Sequence, residues 1–319
     1  MGSPYILRKG VSSLSDLVGG NSAFSLLAAA GGNWFYFDPT HGTAGGDART
    51  AKSATNSLVT AYDRCRDGYN DGVFFIGGAT AWNPTAAFDW AKNYCHLVGL
   101  TADLPGLGQR ARIVMQATPA LTPAMTFSGS GNLIKNIQVY NEKATGAAGC
   151  VISSGSRCQF ENVFCMSPVS PTAASYSLKE TGAENLFVRC TVGQYTNARS
   201  AASYSLWLEG AATVSRDKFI NCEFLSWGAT HDHALVRVDA DIVTVPWMTE
   251  FESCLFANNS GGGDTLLQAI DDNCTAAGHQ ILLMGDNRFA GVDVVADTLT
   301  YILTKSKFAG GLMAALTEA

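Results

Sequence analysis

Asp239 and Asp241 stand two residues apart beside Arg237, so on an extended strand both carboxyls project to one side. Two carboxyls on one face are what acid–base cleavage of a glycosidic bond requires, one protonating the leaving oxygen and the other activating water or attacking the sugar. If the chain is an enzyme, Asp239, Asp241 and Arg237 are its best catalytic candidates. Asp271 with Asp272, and Asp217 with Glu223, are the next pairs. Each pair also fits the simpler description of solvated turn carboxylates. His231 and His233 could offer two imidazoles to a metal from alternate strand positions, but no third ligand accompanies them, so no metal and no cofactor is expected. Trp207, Trp227 and Trp247 recur every 20 residues and could form an outer aromatic row. Such a row packs a neighbouring subunit or stacks on sugar rings. No serine sits in a Gly-x-Ser-x-Gly elbow, and Gly261–Gly263 lacks the lysine and helix of a phosphate loop.

The elements that must position these residues are short strands in a repeat. With Phe219-Ile220-Asn221-Cys222-Glu223-Phe224 as template, one frame fits centres Asn136, Asn162, Arg189, Asn221, Ser253, Asp286 and Lys305. Two residues before each centre stand Ile134, Phe160, Phe187, Phe219, Phe251, Met284 and Leu303, and three after stand Val139, Cys165, Val192, Phe224, Phe256, Phe289 and Phe308. Spacings are 26, 27, 32, 32, 33 and 19 residues. The position just after the centre is Ile137, Val163, Cys190, Cys222, Cys254, Asn287 and Ser306. Apolar positions at −2, +1 and +3 break the two-residue strand alternation once, so the centre must bend out of strand conformation, which Asn, Asp and Ser tolerate. A second strand precedes each centre, for example Tyr176-Ser177-Leu178-Lys179 and Tyr204-Ser205-Leu206-Trp207-Leu208. Repeats of this length without helical periodicity predict a β-solenoid, with an antiparallel sandwich as the competing architecture.

Three segments follow. Residues 1–33 read as an arm, in which Leu14, Leu17, Phe24, Leu26 and Leu27 are apolar without a sustained period and therefore expected at an interface. Residues 34–118 read as an N-terminal cap and first coils, with one helix over Ser53–Arg66, where Leu58, Ala61, Tyr62 and Cys65 share a face. Residues 119–319 read as the solenoid proper.

Composition narrows the classes. Of 319 residues only 15% are charged, 47% are hydrophobic and 33 are glycine, so the chain is not a disordered tail and is expected to hold many turns. A net charge of −6 argues against nucleic acid as a partner. No apolar run reaches the length of a membrane span, and no secretory signal opens the chain. The nine cysteines include no Cys-x-x-Cys pair and are expected to be buried free thiols.

The strand–bent Asn–strand repeat, the "YFDPTHGT" strand and turn, and the "GVFFIGG" strand resemble the right-handed parallel β-helix family over residues 34–310. The resemblance implies an all-β, right-handed parallel β-helix with an N-terminal arm and a capping α-helix. That family includes polysaccharide lyases and hydrolases, phage tailspikes and structural proteins of virions. The expectation is a structural virion protein of a bacteriophage, a capsid decoration or surface protein. It would be assembled in the host cytoplasm as a homotrimer against other virion proteins such as a major capsid protein. The alternative is a carbohydrate-active β-helix, a tailspike-like polysaccharide depolymerase or lyase acting on a surface polysaccharide.

Overall fold

A computed structural model describes residues 31–101, 111–117, 121–166, 168–199, 202–210, 216–228, 233–239, 248–259, 266–273, 280–296, 302–304 and 314–315. Their strands form three sheets of eleven, seven and seven strands, in which successive neighbours come from successive coils. Pairing is parallel throughout except between Ile302–Thr304 and Ala314–Ala315. This is a parallel β-solenoid. The sandwich alternative is excluded, because its sheets would pair antiparallel.

Sheet A holds the strands before each bend, among them Leu133–Lys135, Gln159–Glu161, Leu186–Val188, Lys218–Ile220 and Met248–Glu252. Sheet B holds those after it, from Arg112–Met115 to Arg288–Ala290. Sheet C holds the upstream strands Met125–Phe127, Gly149–Ser153, Tyr176–Glu180, Tyr204–Leu208, Ala234–Val238, Leu266–Asp272 and Val292–Ala296.

The bend is made by residues in the left-handed region. Asn136, Asn162, Arg189, Asn221 and Ser253 have φ between 51° and 55°. Each one lets a sheet A strand turn directly into a sheet B strand while side chains on both sides stay inside. Asn162 Nδ2 donates to Asn136 Oδ1 at 2.9 Å, so two bends are also tied to each other. Inside, Phe160, Phe187, Phe219 and Phe251 stack face to face with centroids 4.5–5.0 Å apart. Phe224, Phe256 and Phe289 repeat the pattern at 5.0 and 4.8 Å. Strand spacing of about 4.8 Å makes this possible, because identical rings one coil apart meet at stacking distance. The thiols of Cys190, Cys222 and Cys254 fill the narrow corner, each 3.4 Å from a carbonyl oxygen of the coil before: Phe160, Phe187 and Phe219. All eight cysteines among the described residues are free and buried. Cys274 lies outside them.

The register departs from the sequence frame at the sixth centre. The left-handed residue there is Gly285, at φ 67°, not Asp286. Leu283, not Met284, pairs with Phe251, and Thr304, not Leu303, continues that position. One extra residue in the Gly285–Asn287 turn shifts the strand, and a one-residue slip sends every side chain to the opposite face. Lys305 and Phe308 lie outside the described residues.

The expected helix is shorter than its periodicity suggested, spanning Leu58–Asp63. Thr55 N donates to Tyr36 O at 3.1 Å, which draws residues 54–56 into extended pairing with the first strand. Ser57 then caps the helix, its Oγ accepting from Thr60 N at 3.3 Å. Leu58, Ala61, Tyr62 and Cys65 do share one face and join the core of the first coils with Phe37, Phe75 and Trp90. Residues 1–30, including Leu14, Leu17, Phe24, Leu26 and Leu27, lie outside the described residues. No described helix is long and apolar enough to cross a membrane.

Candidate functional site on the outer face of sheet C

In sheet C, Ile152, Lys179, Trp207, Arg237 and Asp271 occupy one register position on five consecutive strands. Their neighbours Val151, Leu178, Leu206, Val236 and Ile270 are buried, so this row faces outward. Two residues upstream of Lys179 and Trp207 the strands bend locally, since Ser177 and Ser205 are buried where alternation would place them outside. Ser205 Oγ turns inward to donate to Leu225 O at 2.8 Å. That bend carries Tyr176 and Tyr204 round to the outer face, where both meet Trp207 edge-on, at 5.8 and 5.4 Å.

The polar groups are knitted together across coils. Lys179 Nζ lies 3.7 Å above the Trp207 ring and 2.8 Å from Glu209 Oε2. Trp207 Nε1 donates to Asp239 Oδ2 at 3.2 Å. Arg237 pairs with Asp271 and sits 5.5 Å from the centre of the Tyr204 ring. Asn273 Nδ2 donates to the other oxygen of Asp271 at 2.6 Å. Burial works against the charge on Arg237, but Asp271, then Tyr204 and Asp239, outweigh it, and its proton is held more tightly than usual. The Tyr204 phenol is raised by burial first.

The candidates named from sequence divide accordingly. Arg237 and Asp239 are together, joined by Asp271 from the next coil, while Asp241 lies outside the described residues. Asp271 and Asp272 are not a pair on one face: Asp272 is buried at an inward position. Asp217 and Glu223 are not a pair either. Asp217 is buried and accepts from Asn185 N at 2.8 Å, whereas Glu223 stands on sheet B, 3.3 Å from Thr191 Oγ1. His233 is buried with Nδ1 2.9 Å from Ser203 Oγ, and burial, then Arg199, pushes its pKa down to about 3. A histidine so placed is a core residue, and His231 lies outside the described residues. Among the described residues no group of three His, Cys, Asp or Glu side chains could hold a metal. Trp207 and Trp227 do not form a row, since Trp227 follows the sheet B strand Glu223–Ser226. Trp247 lies outside the described residues.

Tyr176, Lys179, Tyr204 and Glu209 are the members that sequence reasoning missed. Their signal was the recurrence of Tyr-Ser-Leu at Tyr176 and Tyr204 in successive coils, which places Lys179 and Trp207 in register.

No protein-family model matches the sequence, and no curated protein matches it. Among solved structures, the chain is similar to pectate lyase Pel9A (TM-score 0.57, 10% identity, covering 88% of this chain and 80% of that one). It is also similar to the pectin methylesterase from Aspergillus niger (TM-score 0.53, 13% identity, covering 89% and 92%). Likeness at these identities defines the fold: the protein is a parallel β-helix. The bacteriophage reading has no counterpart in these two neighbours, and residues 1–30 of its proposed 1–33 attachment arm lie outside those described.

Proposed function

We propose that the protein is a carbohydrate-active β-helix whose glycan site is the outer face of sheet C. The observation that carries this reading is the convergence of Arg237, Asp239 and Asp271 beside Tyr204 and Trp207 on adjacent coils. Aromatic rings offer an apolar surface to the C–H face of a pyranose, while the guanidinium and carboxylates serve its oxygens. Two carboxylates flanking one cation also supply the groups for acid–base work on a glycosidic or ester bond. The two β-helix neighbours named above are a pectate lyase and a pectin methylesterase, which is consistent with a polysaccharide substrate. This was the alternative reading of the sequence, and it displaces the virion-surface reading.

The test is turnover on a panel of polysaccharides: pectin, polygalacturonate, xylan and a bacterial capsular polysaccharide. Release of oligosaccharides or of ester-derived alcohol is expected from the wild type. Asp239→Asn and Asp271→Asn should each lower kcat by about 100-fold or more, as expected for loss of an acid–base group. Activity that survives both substitutions would place the chemistry elsewhere.

A further inference from the structure

The outer face of sheet C carries more acid than base. Along the outward positions of its strands stand two cations, Lys179 and Arg237, and two carboxylates, Asp271 and Asp293. A second outward row begins just past the strand ends. There Glu209 N bonds to Glu180 O, Asp239 N to Leu208 O and Asn273 N to Val238 O, at 3.0–3.1 Å. These bonds continue the ladder, so Glu209, Asp239 and Asn273 hold equivalent positions on adjacent coils. Among the described residues of this face, four carboxylates therefore stand against two cations. Segments 210–215, 240–247 and 274–279, which follow three of these strands in sequence, contain no Lys or Arg and one further acid, Asp241.

Both cations are already matched. Lys179 Nζ is 2.8 Å from Glu209 Oε2 and is covered by the Trp207 ring at 3.7 Å and the Tyr176 ring at 4.9 Å. Its side chain is 13% exposed against 34% for Glu209, so an arriving ligand meets the acid before the base. Arg237 pairs with Asp271, whose other oxygen is held by Asn273, and lies against the Tyr204 ring. An acidic sugar would have to displace one of these carboxylates to reach a cation. It would do so beside the remaining acids, on a partly desolvated surface where like charges are poorly screened. Sugar hydroxyls meet no such penalty, because ionised carboxylates accept hydrogen bonds from them. An amino group on the sugar adds attraction to the same acids.

We propose that the sheet C face selects glycans without acidic groups, binding neutral or amino-substituted chains and turning away polyuronates and sulfated chains. The proposal rests on the carbohydrate reading above and names the substrate class of that site. Selection comes from the repulsion built into the face as well as from its aromatic contacts.

The test is titration of intrinsic tryptophan fluorescence with oligosaccharide pairs that differ in acidity, with Trp207→Phe assigning the signal. One pair is methyl-esterified and free oligogalacturonate. The other is cello-oligosaccharide and the glucuronate chain made by oxidising its primary hydroxyls. The uncharged member of a pair should bind about tenfold or more tightly than its acidic counterpart. Added salt should narrow that gap by improving acidic binding, while neutral binding stays level. Glu209→Gln and Asp271→Asn each release a cation, and each should raise affinity for the acidic member about fivefold or more. Two such variants are made so that a folding defect in one leaves the other to decide. Acidic members that bind as tightly as their neutral counterparts, with the signal lost in Trp207→Phe, overturn the proposal and leave the carbohydrate reading standing. So does acidic binding that appears with calcium and vanishes with a chelator, or discrimination that neither variant alters. If no member of either pair, and no chitosan oligosaccharide, binds at any salt concentration, the carbohydrate reading itself fails and the proposal with it.

Discussion

Glu161 is a carboxylate with almost no access to water, held between Lys135 Nζ at 3.1 Å and Arg189 Nη2 at 2.7 Å. Lys135 is fully buried, so Glu161 rather than water faces its ammonium group. Breaking a buried pair from one side costs more than the pair itself contributes, because the remaining charge is left in a poor dielectric. Glu161→Gln should therefore destabilise the fold by about 3–5 kcal/mol, read as a shift in the urea midpoint. A loss below about 1 kcal/mol would show that water reaches Lys135. The candidate site is legible in the sequence at this same scale only in part. Arg237 and Asp239 stand out because they are close in sequence. Asp271, Lys179 and Tyr204 belong with them through register between coils, which no local spacing displays.

At the scale of the element, the strands and bends were readable wherever a single residue makes the bend between a sheet A strand and a sheet B strand. The left-handed Asn136, Asn162, Arg189, Asn221 and Ser253 fall at the expected centres, because a break in strand alternation has one local solution. The frame failed after Ser253, where one added residue at Gly285–Asn287 changes facing without changing composition. The helix was overdrawn at its start because pairing of Thr55 with the first strand overrides helical periodicity. Two predictions belong to this scale. Phe219, fully buried between Phe187 and Phe251, should cost about 3–5 kcal/mol on Phe219→Ala. A change within the error of the urea midpoint would contradict the inner stacking. The second concerns Glu180, fully buried, whose Oε1 accepts from Gly182 N at 2.7 Å and Asn185 Nδ2 at 3.0 Å. Burial pushes its pKa up to about 8, and Asp217 is raised by burial and then by Glu180. Both carboxyls stay protonated in the fold at pH values where the unfolded chain has released them. The native state then binds more protons, so stability contributed at this turn is full below about pH 4 and falls as pH rises toward 8. The loss is on the order of a few kcal/mol across that window. Glu180→Gln should flatten the pH dependence of the urea midpoint between pH 5 and 9. Parallel curves for the variant and the wild type would rule the buried acid out as the source.

For the whole molecule, the solenoid turns a one-dimensional stack of coils into faces on which residues far apart in sequence become neighbours. Each coil contacts mainly the coils beside it, so inner ladders of Phe and Cys set the stack while outward rows remain free to carry chemistry. Sheet C uses this freedom most fully, with a cation, an indole, a guanidinium and a carboxylate on four successive strands. The central claim is that this row is where a glycan binds. Hydroxyl-radical footprinting of the full chain, with and without the oligosaccharide that it turns over, tests the claim most directly. The account predicts that oxidation of Tyr204 and Trp207 drops severalfold on binding, while Trp34 and Trp227 are unchanged. Equal oxidation of Tyr204 and Trp207 with saturating oligosaccharide, or protection confined to another face, would contradict it.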